Sequence, residues 1–314
     1  MHIDVDIDII EEDILEYGYS VLDILLKDRT TNRNIIWATN DYSKLGDRHS
    51  ANKEIEVNLI TGVNYNVIQP RIAKALSKQS IRTREKAEVF TPSWICNEQN
   101  NLIDEKWFNR KNVFNIQRYK SWHVNKEKVL FPNIKRKTWK DYVDVRRMEI
   151  SCGEAPYLVS RYDTVTGKAI KLQSRIGLLD RKLRVINENV DDETNWLKWI
   201  ERAYQSIYAY EYQGDNLLLA RENLLYTFID NMKYKFNRKP SLNEIKRIAT
   251  IISWNIWQMD GITYTVPLCD MREWMQQLSF FDFMDDVPER IYCRIKDWRS
   301  KVILEYVSLL KGEK

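Results

Sequence analysis

The sequence predicts an α/β fold built on a mostly parallel sheet covered on both faces, and two observations carry that expectation. From residue 146 onward, strand-like and helix-like stretches alternate, which is the pattern that parallel βαβ units leave in a sequence. Only nine glycines and seven prolines interrupt 314 residues, so long regular elements are expected with few flexible linkers. An apolar content of 44% gives enough material for one large domain or two modest ones.

Taken in chain order, residues 18–38 read as two strands around a polar Thr-Asn turn, a hairpin. Residues 70–88 start with proline and continue through good helix formers, giving a basic helix. Pro92 opens a second helix that runs to Phe108, and 109–145 is irregular, basic and aromatic. A short strand at 146–150 follows. A helix around 194–206 leads into a strand at 207–211, and a long amphipathic helix covers 215–236. Pro240 and Ser241 signal a helix start, and further strands are expected at 255–259 and 290–295.

The net charge of +4 conceals an asymmetry. Residues 1–70 carry six Lys and Arg against thirteen Asp and Glu, residues 71–147 carry nineteen against eight, and 148–314 carry twenty-four of each. The chain therefore divides into an acidic N-terminal α/β extension at 1–70, a basic aromatic segment at 71–147 and the α/β core at 148–314. In the basic segment Lys106, Arg110, Lys111, Lys135, Arg136 and Lys137 are the candidate phosphate contacts. Trp107, Phe108, Tyr119, Trp122, Trp139 and Tyr142 are interleaved with the basic residues of this segment, a composition that suits DNA. It equally describes a solvated helical face with aromatics packed beneath it.

Other function classes find no support. No stretch approaches the ~18 apolar residues of a membrane span. The acidic start matches neither a signal peptide nor a basic transit peptide. Cys96, Cys152, Cys269 and Cys293 are scattered, as are the three histidines, so no metal site is expected and a reduced, cytoplasmic protein is. No Ser/His/Asp triad or P-loop is present.

Four segments carry the functional signal through their order: Phe90-Thr91-Pro92; the run from Glu149 through Cys152 and Gly153 to Tyr157, Leu158 and Val159; Tyr208 to Glu211 followed at once by a helix; and Asn255 to Gly261. Small residues in a first strand-to-helix turn let the backbone approach a nucleoside at the carboxyl ends of parallel strands. A carboxylate at the tip of the next strand is placed to accept ribose hydroxyls, and Tyr212 beside it to lie against adenine.

In this order the segments resemble the adenine-specific DNA methyltransferases, in particular the modification subunits of type I restriction systems and related type II enzymes. The resemblance covers about residues 85–265. It implies a Rossmann-like core that binds S-adenosylmethionine. Phe90, Thr91 and Pro92 would border the methionine part of that cofactor. Glu149, Cys152, Gly153 and Tyr157 would form the loop after strand one, Glu211 would be the acidic end of strand two, and Asp260 would meet the adenine. Asp297-Trp298, an acid followed by an aromatic, is a rival for the Asp260 position.

One part of the family pattern is missing. Methylating the exocyclic nitrogen of adenine calls for an Asn/Asp/Ser-Pro-Pro-aromatic tetrapeptide, whose oxygens accept the amino hydrogens and whose ring stacks on the extruded base. No such tetrapeptide occurs in this chain, so no catalytic residue can be named. Three readings follow. The chain is a DNA adenine methyltransferase-like modification subunit of a restriction-modification or phage-defence system, working on DNA with a nuclease, a specificity subunit or a second methyltransferase subunit. Alternatively it is a catalytically inactive relative that keeps the cofactor fold and acts as a DNA-binding or regulatory partner. The third reading is a structural DNA-binding protein whose cleft is empty.

Overall fold

A computed structural model describes residues 11–74, 79, 82–84, 91–269, 290–310 and 312. At its centre three strands run parallel in chain order: β3 (Arg147–Glu149), β4 (Ile207–Glu211) and β5 (Ile256–Gln258). Arg147 pairs opposite Ile207, and Ala209 opposite Ile256. Helices make both crossovers. Those joining β3 to β4 are α5 (Leu178–Asn189) and α6 (Glu193–Gln205); those joining β4 to β5 are α7 (Gly214–Phe236) and α8 (Leu242–Asn255). The elements expected at 146–150, 194–206, 207–211, 215–236, 241 onward and 255–259 thus appear close to where periodicity and caps place them. α8 begins at a reciprocal Ser241–Glu244 capping box. α7 is buried on nearly all sides and stops at Asn237, which takes the left-handed conformation common after a helix.

The two faces of this sheet are covered differently. Ala209 and Ile256 belong to the large core shared with α7 and α8. Tyr210 and Trp257 pack instead with Cys293, Ile295, Leu304 and Tyr306. Cys293 immediately precedes β6 (Arg294–Asp297), which holds Ile295; Leu304 lies in β7 (Val302–Glu305) and Tyr306 opens α9 (Tyr306–Leu310). β6 pairs antiparallel with β7 and not with the parallel sheet. The strand signal near 290–295 therefore belongs to a hairpin laid across the sheet face.

The N-terminal reading needs correction. Residues 18–38 do not form a hairpin of two strands, because Tyr19–Leu26 is a helix, α2, which follows the short α1 (Glu11–Leu15). Val21, Leu22, Leu25 and Leu26 are all fully buried, and their spacing is that of one helical face. The turn itself is present, held by Asp28, whose carboxylate accepts the Thr30 and Thr31 amides.

From residue 11 onward the acidic N-terminal segment shares the main core, which is continuous from Ile14 to Ile256. Side chains far apart in sequence join it there. The Gln258 amide donates to the Ile36 carbonyl and accepts from its N–H, as an added strand would. The buried Arg221 guanidinium donates to the carbonyls of Leu25, Lys27, Ser253 and Ile256, and burial pulls it down to about 9. Gly214 donates to Trp37, and a Cβ there would sit 2.0 Å from the Ile36 oxygen, so no larger residue fits.

The basic segment also has more structure than expected. α3 (Ser93–Phe108) starts after Pro92 as the sequence indicates, but 109–145 contains a hairpin of β1 (Asn115–Arg118) and β2 (Ser121–Val124), then α4 (Trp139–Asp144). Most of the helix expected at 70–88 lies outside the described residues. Among the described residues no helix is long and apolar enough to cross a membrane.

Candidate cofactor crevice

Glu149 ends β3 and Glu211 ends β4, so two acids stand side by side at the carboxyl edge of the sheet. The chain leaving β3 turns back across that edge through left-handed backbone at Ser151 (φ 48°), Gly153 (φ 53°) and Ala155 (φ 62°). Glycine adopts this conformation freely, whereas Ser151 and Ala155 each hold it at a cost of ~1 kcal/mol. Strained backbone of this kind is concentrated at functional sites. Ala155 thus occupies by strain a position where glycine would be relaxed.

Hydrogen bonds fix the turn. The Cys152 amide donates to the Tyr210 carbonyl at 2.9 Å, and the Gly153 amide donates to Glu211 Oε2 at 2.8 Å. Glu211 Oε1 accepts from the Gln213 amide. Glu149 accepts the amides of Tyr157 and Leu158. Both acids are buried. Burial pushes Glu149 up to about 8, against its two backbone donors and with a further push from the Glu211 charge. Burial likewise raises Glu211, opposed by the Gly153 and Gln213 amides and reinforced by Asp215. The Cys152 thiol is buried and driven up by burial and then by these two acids.

Thr91 and Pro92 close the same region. The Thr91 carbonyl accepts from Thr164 Oγ1 and from the Cys96 thiol, and the Tyr157 hydroxyl lies against both Thr91 and Cys96. Glu149 is near enough to raise the Cys96 thiol, after burial. The structure therefore brings Thr91, Pro92, Glu149, Cys152, Gly153, Tyr157 and Glu211 into one neighbourhood. Phe90 lies outside the described residues.

Tyr212 follows Glu211, half-buried, with its carbonyl accepting from the Gln258 amide. Asp260 comes two residues after β5. Its Oδ1 accepts the Ile262 and Thr263 amides, so its carboxylate organises the turn that leaves the sheet. Gly261 in that turn passes within 3.0 Å (from an added Cβ) of the Tyr210 ring.

Asp297 and Trp298 are elsewhere. Asp297 pairs with Arg146, which precedes β3. Trp298 donates to Asn255, whose amide caps the Tyr204 and Ile207 carbonyls before β4. Both therefore sit at the amino ends of the strands, opposite Glu149 and Glu211. Of the two rivals for the adenine position, Asp260 alone shares the crevice end of the sheet.

A buried ionic network beside Glu211 left no trace in the sequence reading. Asp215, in the first turn of α7, is fully buried between Lys74 and Arg82, each at 3.0 Å, and accepts the Tyr42 hydroxyl at 2.7 Å. Burial alone would raise this acid; its two cations outweigh that and hold it well below the usual carboxylate range. Arg82 also bonds Asp41 and Gln213. The network joins the N-terminal segment, the basic segment and the helix that follows Glu211.

The basic candidates form a separate patch, where the end of α3 meets the loop at 130–137. Arg110 donates to the Leu130 carbonyl, and Lys137 donates to the Trp107 carbonyl and stands over that indole. Lys111 approaches Glu105 at 3.8 Å, while Lys106, Lys135 and Arg136 are exposed. The aromatics expected to stack on bases are mostly internal here. Trp107, Phe108 and Tyr142 pack with Phe114 and Phe131, and Trp139 packs on Trp199. Burying apolar rings outweighs leaving them for a ligand.

Chemically, the strand ends offer two buried acids held by backbone amides beside a tight turn whose Ser151 is exposed and whose Gly153 is half-buried, a set that would suit a ligand carrying hydroxyl donors and positive charge. Among the described residues no group of His, Cys, Asp and Glu could hold a metal ion. No protein-family model, no curated protein and no solved structure matches the chain.

Proposed function

We propose that the chain is a cytoplasmic, S-adenosylmethionine-binding subunit of the DNA adenine methyltransferase type, with a Rossmann-like core, serving a restriction-modification or phage-defence system. The observation that carries this reading is the clasp of Gly153 onto Glu211: the loop after the first parallel strand is bonded to the acid that ends the second. It puts a small-residue turn and a carboxylate together at the carboxyl ends of adjacent parallel strands, where parallel α/β sheets bind nucleosides. The residues present fit the cofactor, because the donor set is acidic where a ribose and a sulfonium would need it.

The cofactor supplies an electrophilic methyl group. The chain's own residues bind and orient it. Glu211 would accept the ribose hydroxyls, the turn at 151–155 and Thr91-Pro92 would border the methionine part, and Asp260 with Tyr212 would serve the adenine. The absent tetrapeptide favours a second reading, in which this chain binds cofactor and DNA as an inactive partner. A nuclease, a specificity subunit or a second methyltransferase subunit would supply the remainder.

Titration calorimetry tests the binding. Glu211→Ala should weaken S-adenosylmethionine by ~1.5–3 kcal/mol, the scale for losing hydrogen bonds to a charged group. Wild-type protein that binds neither the cofactor nor its demethylated product would refute the proposal.

Affinity should also depend on pH. Glu149 holds its proton up to about 8 in the free protein, and a cationic ligand beside it favours the ionised form. Binding then releases a proton, so log K should rise with pH between about 5.5 and 7.5, by up to one unit per pH unit. The demethylated product lacks the sulfonium charge and should show a shallower slope. Equal slopes for the two ligands would place Glu149 away from the ligand.

A further inference from the structure

A groove of about 730 Å³ lies between the tip of the β1–β2 hairpin and the loop at 163–174, with Pro92 and Trp94 at its inner end. It differs from the basic patch described above in having cations and aromatic rings on the same surface. Lys120, Lys168 and Lys171 line it and are exposed, and no ion pair holds any of them among the described residues. Trp94 and Trp122 line it as half-buried indoles, and Trp122 is held in place by its Nε1 bond to the Ser174 carbonyl at 2.8 Å. Tyr119, 87% exposed, stands at the hairpin tip beside Lys120.

The one acid in the lining is committed elsewhere. Asp163 accepts the Ser93 amide at the start of α3 and the Val165 and Thr166 amides of its own turn. Those amides keep Asp163 ionised, and three lysines against this one acid leave the groove positive. It also adjoins the crevice, since Pro92 lines it, Thr164 bonds the Thr91 carbonyl, and Tyr157 and Cys96 stand behind Thr91.

We propose that this groove holds single-stranded nucleic acid, with Lys120, Lys168 and Lys171 on the phosphates and Trp94 and Trp122 on unpaired bases. The pairing of features selects this occupant. Unpaired lysines along a groove follow a phosphate backbone, and indoles between them give bases a stacking surface. In a duplex each base face is covered by its neighbour, so only an unpaired or extruded nucleotide can use those rings. An acidic peptide would engage the lysines and leave the indoles idle. The assignment rests on the nucleic-acid partner proposed above and is independent of cofactor binding. It moves the stacking surface from the internal aromatics of 107–142 to the hairpin tip and the Trp94 end of α3.

Fluorescence anisotropy with a labelled thymidine oligomer of about 12 nucleotides, without cofactor, tests this. The triple variant Lys120→Glu/Lys168→Glu/Lys171→Glu should bind at least about tenfold more weakly and lower the salt slope of log K by about 2, since single strands lose ~0.7 per phosphate contact. The charge-matched variant Lys44→Glu/Lys198→Glu/Lys301→Glu, at exposed lysines outside the groove and the basic patch, separates position from net charge and should stay within about threefold of wild type. All six side chains are exposed, and unfolding curves would check that both variants fold. An abasic oligomer of equal charge should bind about tenfold more weakly than the thymidine oligomer, and a duplex of equal length should also bind more weakly. Equal losses in the two triple variants, equal affinity for the abasic oligomer, or preference for duplex would overturn the groove assignment. Wild-type protein that binds no nucleic acid at all would overturn the DNA partner as well, leaving cofactor binding to stand on calorimetry.

Discussion

Replacing Asp215 with alanine should lower the free energy of unfolding by about 3–5 kcal/mol, the cost of removing one partner from a buried ion pair. The size follows from what stays behind. Lys74 and Arg82 have side chains only 7% and 3% exposed, so neither can turn to water without opening the structure around it. Arg82 would keep Asp41 and Gln213, while Lys74 would lose its carboxylate altogether. The pH dependence has a fixed sign. Asp215 is depressed in the folded chain, so its contribution is present above the ordinary carboxylate pKa of ~3.9 and is lost as pH falls through the lower folded value. Denaturant unfolding at neutral pH measures the main effect. A loss below about 1 kcal/mol would mean that both cations relax into solvent. Asp215 lies four residues after Glu211, so the variant should also loosen the Glu211 end of the sheet at denaturant concentrations where the fold persists.

The parallel sheet was legible because its strands and helices obey local rules. The apolar stretches at 207–211 and 255–259 are short and bounded, and Ser241 with Glu244 writes a helix start directly into the sequence. α2 was misread because Val21 to Leu26 is a short apolar run, for which helix and strand patterns coincide. The β1–β2 hairpin is short and polar: β2 alternates over only four residues and β1 shows no such pattern. The union of the N-terminal segment with the core could not be read at all. It depends on Gln258 and Arg221 reaching backbone about 200 residues away, and neither residue type advertises such a bond. That Glu149, Cys152, Gly153 and Glu211 come together was legible, since each is tied to a strand end. Asp297 and Trp298 lie at the amino ends of the strands, opposite Glu149 and Glu211, a placement that their order in the chain does not reveal. Lys74, Arg82 and Asp215 read as ordinary solvated charges until the fold buried them together.

By itself the chain should bind S-adenosylmethionine and transfer almost no methyl group to adenine in DNA. The amino nitrogen of adenine is a poor nucleophile because its lone pair is delocalised into the ring. Acceptors for the amino hydrogens and a ring to hold the extruded base are needed to overcome this. Losing preorganised electrostatic partners of this kind costs ~10²–10³-fold in rate each. The sequence contains no Asn/Asp/Ser-Pro-Pro-aromatic segment, and the described chain beyond β5 offers no equivalent. Asp260 spends its Oδ1 on its own turn, and Tyr210, Trp257, Tyr264 and Tyr306 pack on one another where the β6–β7 hairpin covers the sheet. Tyr264 and Tyr306 are thereby committed to packing and not held open for a base. Labelled cofactor and unmethylated DNA, with methyladenine read by mass spectrometry, provide the measurement. The outcome expected is cofactor binding without product, and product once a partner carrying the missing tetrapeptide is added. Robust methylation by the purified chain, lost in Asp260→Ala, would show that the turn after β5 supplies the acceptors in a form the family pattern does not contain.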